Sequence, residues 1–328
     1  MTTFLLRRTF SMLMVLVLLT FLIFGIVQSP PGDYVDTYIA SLQARGDLAT
    51  PEDLQAIRKT LGLEASMPEQ YVRWIGRLLT GDLGFSLENR RPVIDLVRDR
   101  LPLTAMLAVA TLLFTWTLAI PIGIISAVKQ YSITDHVFTF LSYLGIGTPN
   151  FLLALVLMWV AFVYFGWNVG GLFSREFLDA PWSWARFVDL MKHLWIPVIV
   201  IGTDGMAGLV RVMRANLLDE LAKPYVVTAR TKGLSEWRII AKYPVRLAIN
   251  PFISVVGWSL PRLMSAGLIV SVVLSLPTLD PLLLEALFAQ DYLFAGTILM
   301  IISVLTVVGT FVSDILLAIA DPRIRIEA

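Results

Sequence analysis

Long apolar runs separated by polar segments dominate this chain. A helix crossing the hydrocarbon of a bilayer needs about 20 mostly apolar residues. Six windows reach or approach that length: Phe10–Val27, Leu103–Ile125, Val137–Phe165, Leu194–Val210, Phe252–Leu274 and Gly296–Ala320. Each predicts a membrane-spanning helix. The first follows Arg7 and Arg8, as a secretory signal would. Its apolar run is longer than a signal core, and no small-x-small cleavage site precedes Pro30-Pro31, so it is read as a retained span. Residues 28–100 then form an extramembrane domain, punctuated by turn signals at Pro30-Pro31-Gly32 and Gly81-Asp82-Leu83-Gly84. Two helices are predicted inside it. One is Thr50–Leu61, where an N-cap threonine precedes proline at the first helical position. The other is amphipathic, Pro68–Leu79, with Tyr71, Trp74, Ile75, Leu78 and Leu79 at helical spacing. The segment 166–193 carries Trp167, Trp182 and Trp184 beside Trp195, a composition that predicts a helix lying in the membrane interface.

Composition narrows the classes. The chain is 57% apolar and 16% charged, with a mean hydropathy of +0.75, whereas soluble domains are about 45–50% apolar and about 25% charged. That content excludes disorder. A net charge of +1 argues against a nucleic-acid partner. With no cysteine there is no disulfide, thiolate metal site or thiol catalysis, and two histidines, His136 and His193, leave little for metal or His-based chemistry. An all-α polytopic membrane protein with the bilayer as its solvent remains.

The positions of Lys and Arg set the orientation. With a cytoplasmic N-terminus, the inner segments hold 13 of the 26 basic residues and the two short outer loops only three. Both termini are therefore predicted inside. The near-zero total hides a partition, about +7 inside against −5 outside. The chain thus divides into the N-terminus and first span (1–27), an extracytoplasmic domain (28–100) and a core of five spans (101–328) that contains a long basic loop, 211–250.

That loop is the most informative stretch. Pro224–Lys232 predicts a helix stopped at Gly233, a natural position for left-handed backbone. Ser235 is placed to cap a second helix, Glu236–Lys242, ended by Pro244. The result is a compact knob with Val226, Val227, Leu234 and Trp237 as an apolar docking side. Arg230, Lys232 and Arg238 are also what the positive-inside rule alone would supply, but that rule does not demand the order Ala229-Arg230-x-Lys232-Gly233-Leu234.

Together with Tyr225, this order resembles the cytoplasmic loop motif of importer-type ABC permeases, in the version of the oligopeptide/dipeptide/nickel family, first of its two permeases. Collinear marks similar to that family run through the chain. They include Pro31-Gly32-Asp33, Leu61-Gly62-Leu63, Gly81-Asp82-Leu83-Gly84-x-Ser86, Leu101-Pro102-x-Thr104, Pro121-x-Gly123, Asp135-His136, Pro149-x-Phe151, Arg211-x-x-Arg214, Asp291-Tyr292 and Pro322-Arg323-x-Arg325. The resemblance implies a type I ABC importer permease fold of six transmembrane helices, with an extracytoplasmic insertion after the first, in a bacterial-type inner membrane. It implies a homologous second permease, two ATPase subunits and an extracytoplasmic substrate-binding protein as partners, and di- or oligopeptides as cargo. Oligosaccharide or nickel is the alternative. It also implies that Glu220, Tyr225, Ala229, Arg230, Lys232, Gly233, Leu234 and Trp237 couple the loop to an ATPase. The chain has no phosphate-binding Gly-x-x-x-x-Gly-Lys-Ser/Thr, so ATP and Mg would enter through the partner chains and no catalysis is expected here. The chain departs from the family pattern in two stretches. The loop's usual His and Asn are Tyr243 and Leu247; at the outer end of span five Trp-Pro-Gly-x-Gly becomes Leu276-Pro277-Thr278-Leu279-Asp280, and a glutamate common just before it is Ser271.

A secondary transporter would usually show a repeated half or several intramembrane carboxylates, and an intramembrane enzyme a nucleophile and base at matching depth. Neither pattern is present. Asp204 and Arg262 are the formal charges near mid-span, and such a charge costs at least about 2.5–3.5 kcal/mol when isolated. They form either a gate or substrate contact on the translocation path, or a structural pair joining spans four and five. Met206 and Met264 flank the same path, although with Met213 their spacing equally fits packing. Gly145, Gly147 and Pro149 suit close helix contact, or a kink, in span three. His136 and His193 sit at span edges and make poor metal sites.

Overall fold

The computed structural model describes residues 2–29, 65–86, 89–178, 180–250, 252 and 267–320. The predicted Thr50–Leu61 helix, most of the fifth window, and both Arg262 and Met264 lie outside the described residues. In chain order, α1 (Thr2–Val27) and α2 (Met67–Leu79) precede a short antiparallel pair, β1 (Phe85–Ser86) and β2 (Arg91–Pro92). Then come α3 (Val93–Val128), α4 (Ile133–Gly147), α5 (Asn150–Phe165) and α6 (Trp184–Leu221). Three short helices follow, α7 (Pro224–Thr231), α8 (Glu236–Lys242) and α9 (Pro244–Ala248). The chain closes with α10 (Leu268–Val273), α11 (Leu279–Phe288) and α12 (Tyr292–Ala320).

Four of these helices, α1, α3, α6 and α12, are long and apolar enough to cross a membrane. The third predicted span is not one rod. Helices α4 and α5 pass the same test only as a pair, bent by 103°. Pro149 supplies the cause: it lacks an N–H, and its ring forces the preceding residue out of helical geometry. Thr148 accordingly has φ −92° and ψ 119°. A Cβ on Gly145 would lie 3.6 Å from the Thr203 carbonyl of α6, while one on Gly147 would meet nothing, so this stretch combines close helix contact at Gly145 with a break at Pro149.

The chain forms two compact units. One comprises residues 7–103 and 278–307. In it the amphipathic face of α2 is seated as its spacing predicts: Trp74 is buried with Ile23 and Val27 of α1, and Leu293 and Met300 of α12 pack around them. Polar atoms fix the register. The Thr20 and Tyr71 hydroxyls are 2.7 Å apart, Gln28 donates to Gln70 at 3.1 Å, and Phe21 stacks on Tyr71 with centroids 4.6 Å apart. The Gly81–Gly84 motif forms the turn its composition predicts. Both glycines take positive φ, and the Asp82 carboxylate accepts from the Gly84 N–H at 3.0 Å. A second apolar cluster joins Val93, Leu96 and Val97 of α3 to Leu279, Leu282 and Ala286 of α11 and Phe294 of α12. Beside it, Asp280 in the first turn of α11 is only 7% exposed, with no hydrogen bond or ion pair among the described residues. Burial pushes its carboxyl up to about 6.

The other unit comprises residues 1–6, 104–277 and 308–328, and α6 is its hub, packing on α4, α5, α9 and α10. Helix α3 closes on α6 at two glycines. A Cβ on Gly123 would lie 2.5 Å from the Met213 Cβ, and one on Gly202 would lie 2.7 Å from the Phe114 ring. Neither helix can approach this closely with a larger residue there. Leu209, Val210, Met213 and Leu217 of α6 form one buried cluster with Ala119, Ala127, Ala248 and Phe252.

Of the segment 166–193, for which an interfacial helix is predicted, residues 184–193 are helical as the start of α6, and among the described residues of 166–183 only the turn Arg175–Phe177 is. Gly166 and Gly171 take left-handed backbone, and side chains of α6 hold the irregular chain. Asp189 accepts from the Ser174 N–H and hydroxyl at 2.7 and 2.6 Å. His193 faces the carbonyls of Asp189 and Asn168 at 2.8 and 3.2 Å. The Arg186 guanidinium lies 4.6 Å from the Phe173 ring centroid and 4.9 Å from that of Trp182. His193 is therefore buried within α6, its ring held by two backbone carbonyls.

Two outcomes follow. Gly123→Ala should lower thermal stability by about 1–2 kcal/mol in the purified protein, because overpacking costs roughly 1–3 kcal/mol and outweighs the gain of about 1 kcal/mol in helix propensity; unchanged stability would contradict the close approach. For Asp280 the folded-state pKa lies above its unfolded value, so folding binds a proton and stability falls as pH rises from about 4 through about 6. Asp280→Asn should flatten that dependence and raise stability at pH 8 by at most about 3 kcal/mol, read from melting curves across pH.

Candidate functional site

The basic loop folds as a knob with its own core. Val226 and Ile239 are fully buried and Ala229 nearly so, and Tyr225, Leu234 and Tyr243 pack around them. Helix α7 starts at Pro224, where a missing N–H costs nothing, and stops before Gly233, whose φ of +74° is the left-handed turn expected there. Ser235 occupies the N-cap of α8 in extended geometry, but its hydroxyl makes no capping bond. Pro244 ends α8 and also begins α9, so the knob has three helices rather than the two predicted.

Its polar contacts are local. Tyr225 donates to the Glu220 carboxylate at 2.6 Å, tying α7 to the end of α6. Burial first, and then the Glu220 carboxylate, push the Tyr225 phenol well above its usual range. Arg230 spans the Gly233 turn to Glu236, with Nε–Oε1 at 2.8 Å and Nη2–Oε2 at 3.3 Å. Both side chains of that pair are about half exposed, so it orients the turn more than it stabilises it.

What the knob presents differs from the expected docking side. Val226 points into the core, and Leu234 is half-buried. Val227 and Trp237 stay exposed, at 53% and 68%, beside exposed Lys232 and Arg238. Ala229 and Tyr225 therefore shape the knob, while Trp237, Lys232 and the Gly233 turn form its surface. Tyr243 fills the place between Tyr225 and the chain, with ring centroids 6.5 Å apart.

Sequence reasoning missed the strongest polar contact near this loop. Arg214 donates from Nε and Nη2 to the two oxygens of Asp135 at 3.0 and 2.8 Å. Asp135 is 4% exposed and also accepts from the Tyr131 N–H at 3.0 Å. The pair joins the start of α4 to α6 two turns before the knob. Both residues were visible as motif marks, but 79 residues separate them and no periodicity links them. Along the proposed path, Asp204 is partly buried in α6, and Met206 packs beside the Leu209–Met213 cluster. Arg262 and Met264 cannot be placed against them, lying outside the described residues.

A family described as the binding-protein-dependent transport system inner membrane component matches residues 119–326, a span that includes α4–α12 and the whole knob. The chain belongs to that family. A companion description, for the N-terminal part of binding-protein-dependent transport system membrane components, matches residues 1–108. The permease is 34% identical over 327 residues to the oligopeptide transport system permease protein AppB of Bacillus subtilis, covering 99% of this chain and all of the relative. It is 31% identical over 344 residues to the dipeptide transport system permease protein DppB of Escherichia coli, covering 99% of each. It is 30% identical over 338 residues to a di/tripeptide transport system permease protein of Pseudomonas aeruginosa, again covering 99% of each. It is an ABC-importer permease, and the knob is part of the segment that the family shares.

Removing one partner of a buried ion pair costs about 3–5 kcal/mol. Arg214 keeps a quarter of its side chain exposed, so Arg214→Met should cost the permease somewhat less, about 2–3 kcal/mol. Adding Asp135→Leu should restore most of the loss. Melting curves of the two single variants and the double variant check this, and simple additivity would show that the pair is not coupled.

Proposed function

We propose that this permease is the membrane-embedded subunit of an ATP-driven importer of di- and oligopeptides, and that the knob of α7–α9 receives the stroke of a separate ATPase chain. The observation that carries this is the knob's construction. It keeps an apolar core of its own, is tied to α6 through Tyr225 and Glu220, and leaves an exposed tryptophan and cations around a left-handed turn. A loop serving only as a topology signal has no need of a core. The relatives' names support peptide as the cargo.

In this reading the fold has six spans, the fifth using residues 252–274, with both termini cytoplasmic. A second, homologous permease completes the pathway. An extracytoplasmic binding protein delivers the peptide, and two ATPase subunits hold ATP and Mg. The permease itself carries out no chemistry; it is a two-state element. ATP-driven closure of the ATPases favours one state by acting on Trp237, Lys232 and the Gly233 turn, with Arg230 keeping that turn in register. Asp204, together with Arg262, is assigned to the path or its gate, and Met206 and Met264 to its walls.

Trp237 is exposed, so replacing it leaves the core of the knob intact. Trp237→Glu should leave insertion and expression unchanged and reduce peptide-stimulated ATP hydrolysis of the reconstituted complex by about tenfold or more, as loss of a buried aromatic anchor does at an interface. Retained stimulation would overturn the coupling role. Uptake by the permease alone, without ATPase chains, would overturn the importer reading.

A further inference from the structure

Between α4 and α6 runs a shallow groove, open at its mouth, whose empty space of about 270 Å³ includes the solvent it opens to. Its two walls are helical stripes at matching spacing. Helix α4 contributes Ser142, Tyr143 and Ile146, and α6 contributes Ala207, Val210 and Arg211. The helices run antiparallel, as Asp135 meeting Arg214 and Gly145 meeting Thr203 together show, so the groove is graded. Ile146 and Ala207 make one end apolar. The hydroxyl-bearing residues of α4 and the arginines of α6 mark the other.

The two arginines at that end are in different electrostatic states. Arg214 is matched by both oxygens of Asp135. Arg211 is exposed and has no carboxylate partner among the described residues. Its Nε makes only a long 3.4 Å bond to the Ala207 carbonyl of its own helix, and its guanidinium lies 5.8 Å from the Tyr143 ring centroid. The fork of Nη donors is thus held over an aromatic ring at the mouth of an apolar trough. It follows directly on the predicted span Leu194–Val210, on the side of the basic loop.

An uncompensated guanidinium above an apolar groove at a membrane boundary matches an amphiphile with an anionic head. We propose that this groove binds an anionic phospholipid from the leaflet on the side of loop 211–250. Its phosphate sits on Arg211, and its first methylenes lie along Val210, Ala207 and Ile146. The volume is far too small for a whole lipid, so the remaining chain stays in the bilayer. The lipid would hold α4 against α6 from Arg211, one turn from the Asp135 pair, toward the apolar end of the groove, a contact that depends on membrane composition.

The test uses the full chain, purified in neutral detergent with the chains that accompany it, and melted with added phosphatidylglycerol, phosphatidylcholine or inorganic phosphate. Phosphatidylglycerol should raise the melting temperature by about 3 °C, with little change from the other two. Arg211→Gln should lose that rise. Native mass spectrometry supplies a second reading: the Ile146→Trp variant, altered at a half-exposed rim position, should retain at least about fivefold less bound phosphatidylglycerol than the parent. An equal rise with phosphatidylcholine would mean bulk lipid only, and an equal rise with inorganic phosphate an ion site without a chain. Either result would overturn the proposal, as would an undiminished rise in Arg211→Gln together with undiminished retention in Ile146→Trp.

Discussion

Helix α6 organises its unit by packing on α4, α5, α9 and α10, and α3 meets it with no side chain in the way. At Gly123 and Gly202 an added methyl would fall 2.5–2.7 Å from Met213 and Phe114, well inside any tolerable contact. In a bilayer, helices gain little from hiding apolar surface, since lipid is as apolar as leucine, and close backbone approach supplies the dispersion that holds them. The Thr115 hydroxyl adds a 3.3 Å bond to the Gly202 carbonyl across that seam. At 1.5 Å per residue, the 38 residues of α6 run about 57 Å, nearly twice the hydrocarbon thickness. One rod thereby connects the chain around Asn168 at one end with the knob at the other.

Charge is then placed where the rod leaves the apolar environment. The buried pair of Asp135 and Arg214 adds little net stability over a well-packed apolar pair, but it is directional. It fixes which turn of α4 meets which turn of α6, below a span broken at Pro149. The knob is arranged the other way. Its stability comes from Val226, Ala229 and Ile239, and its charges face outward, apart from the Tyr225–Glu220 tie. That division suits a part that must keep its shape while a partner pushes on it: an apolar core resists deformation, and an exposed ion pair such as Arg230–Glu236 adjusts at small cost.

Much of this was legible in the residues. The four long spans, the apolar face of α2, the turn at Gly81–Gly84 and the stop at Gly233 all follow from local rules, and all are present. The misses have a common physical origin. Val137–Phe165 is long and apolar enough to read as one span; Gly145-x-Gly147-Thr148-Pro149-Asn150 marks the break, and a kink there is one of two readings the residues allow, since proline is tolerated within many membrane helices. The tryptophans of 167–184 suggested an interfacial helix, but Gly166 and Gly171 and the reach of Asp189, Arg186 and His193 decide the backbone there. Those are tertiary contacts. Val226 and Val227 are adjacent and chemically alike, and which of them faces the core depends on where Ile239 folds back. The Asp135–Arg214 pair is legible only once the antiparallel course of α4 and α6 is known.

The departures from the family pattern fall into two kinds when set against these contacts. Tyr243, standing where the loop usually has histidine, is absorbed by packing: its ring meets Tyr225 and closes the knob's core, so coupling needs no other explanation. Asp280, standing where a glycine is usual, is not absorbed. A carboxyl that is 7% exposed, with no partner among the described residues, gains nothing from its neighbours Leu279 and Leu282, and burial raises its pKa to about 6. The first turn of α11 favours an anion by about 0.3–1 kcal/mol, less than the desolvation it opposes. The fold therefore tolerates Asp280 at a cost that glycine would avoid. Of the departures, Tyr243 thus has a structural reason in the knob, Leu247 of α9 stays about half exposed, and Asp280 stands at a cost at the start of α11.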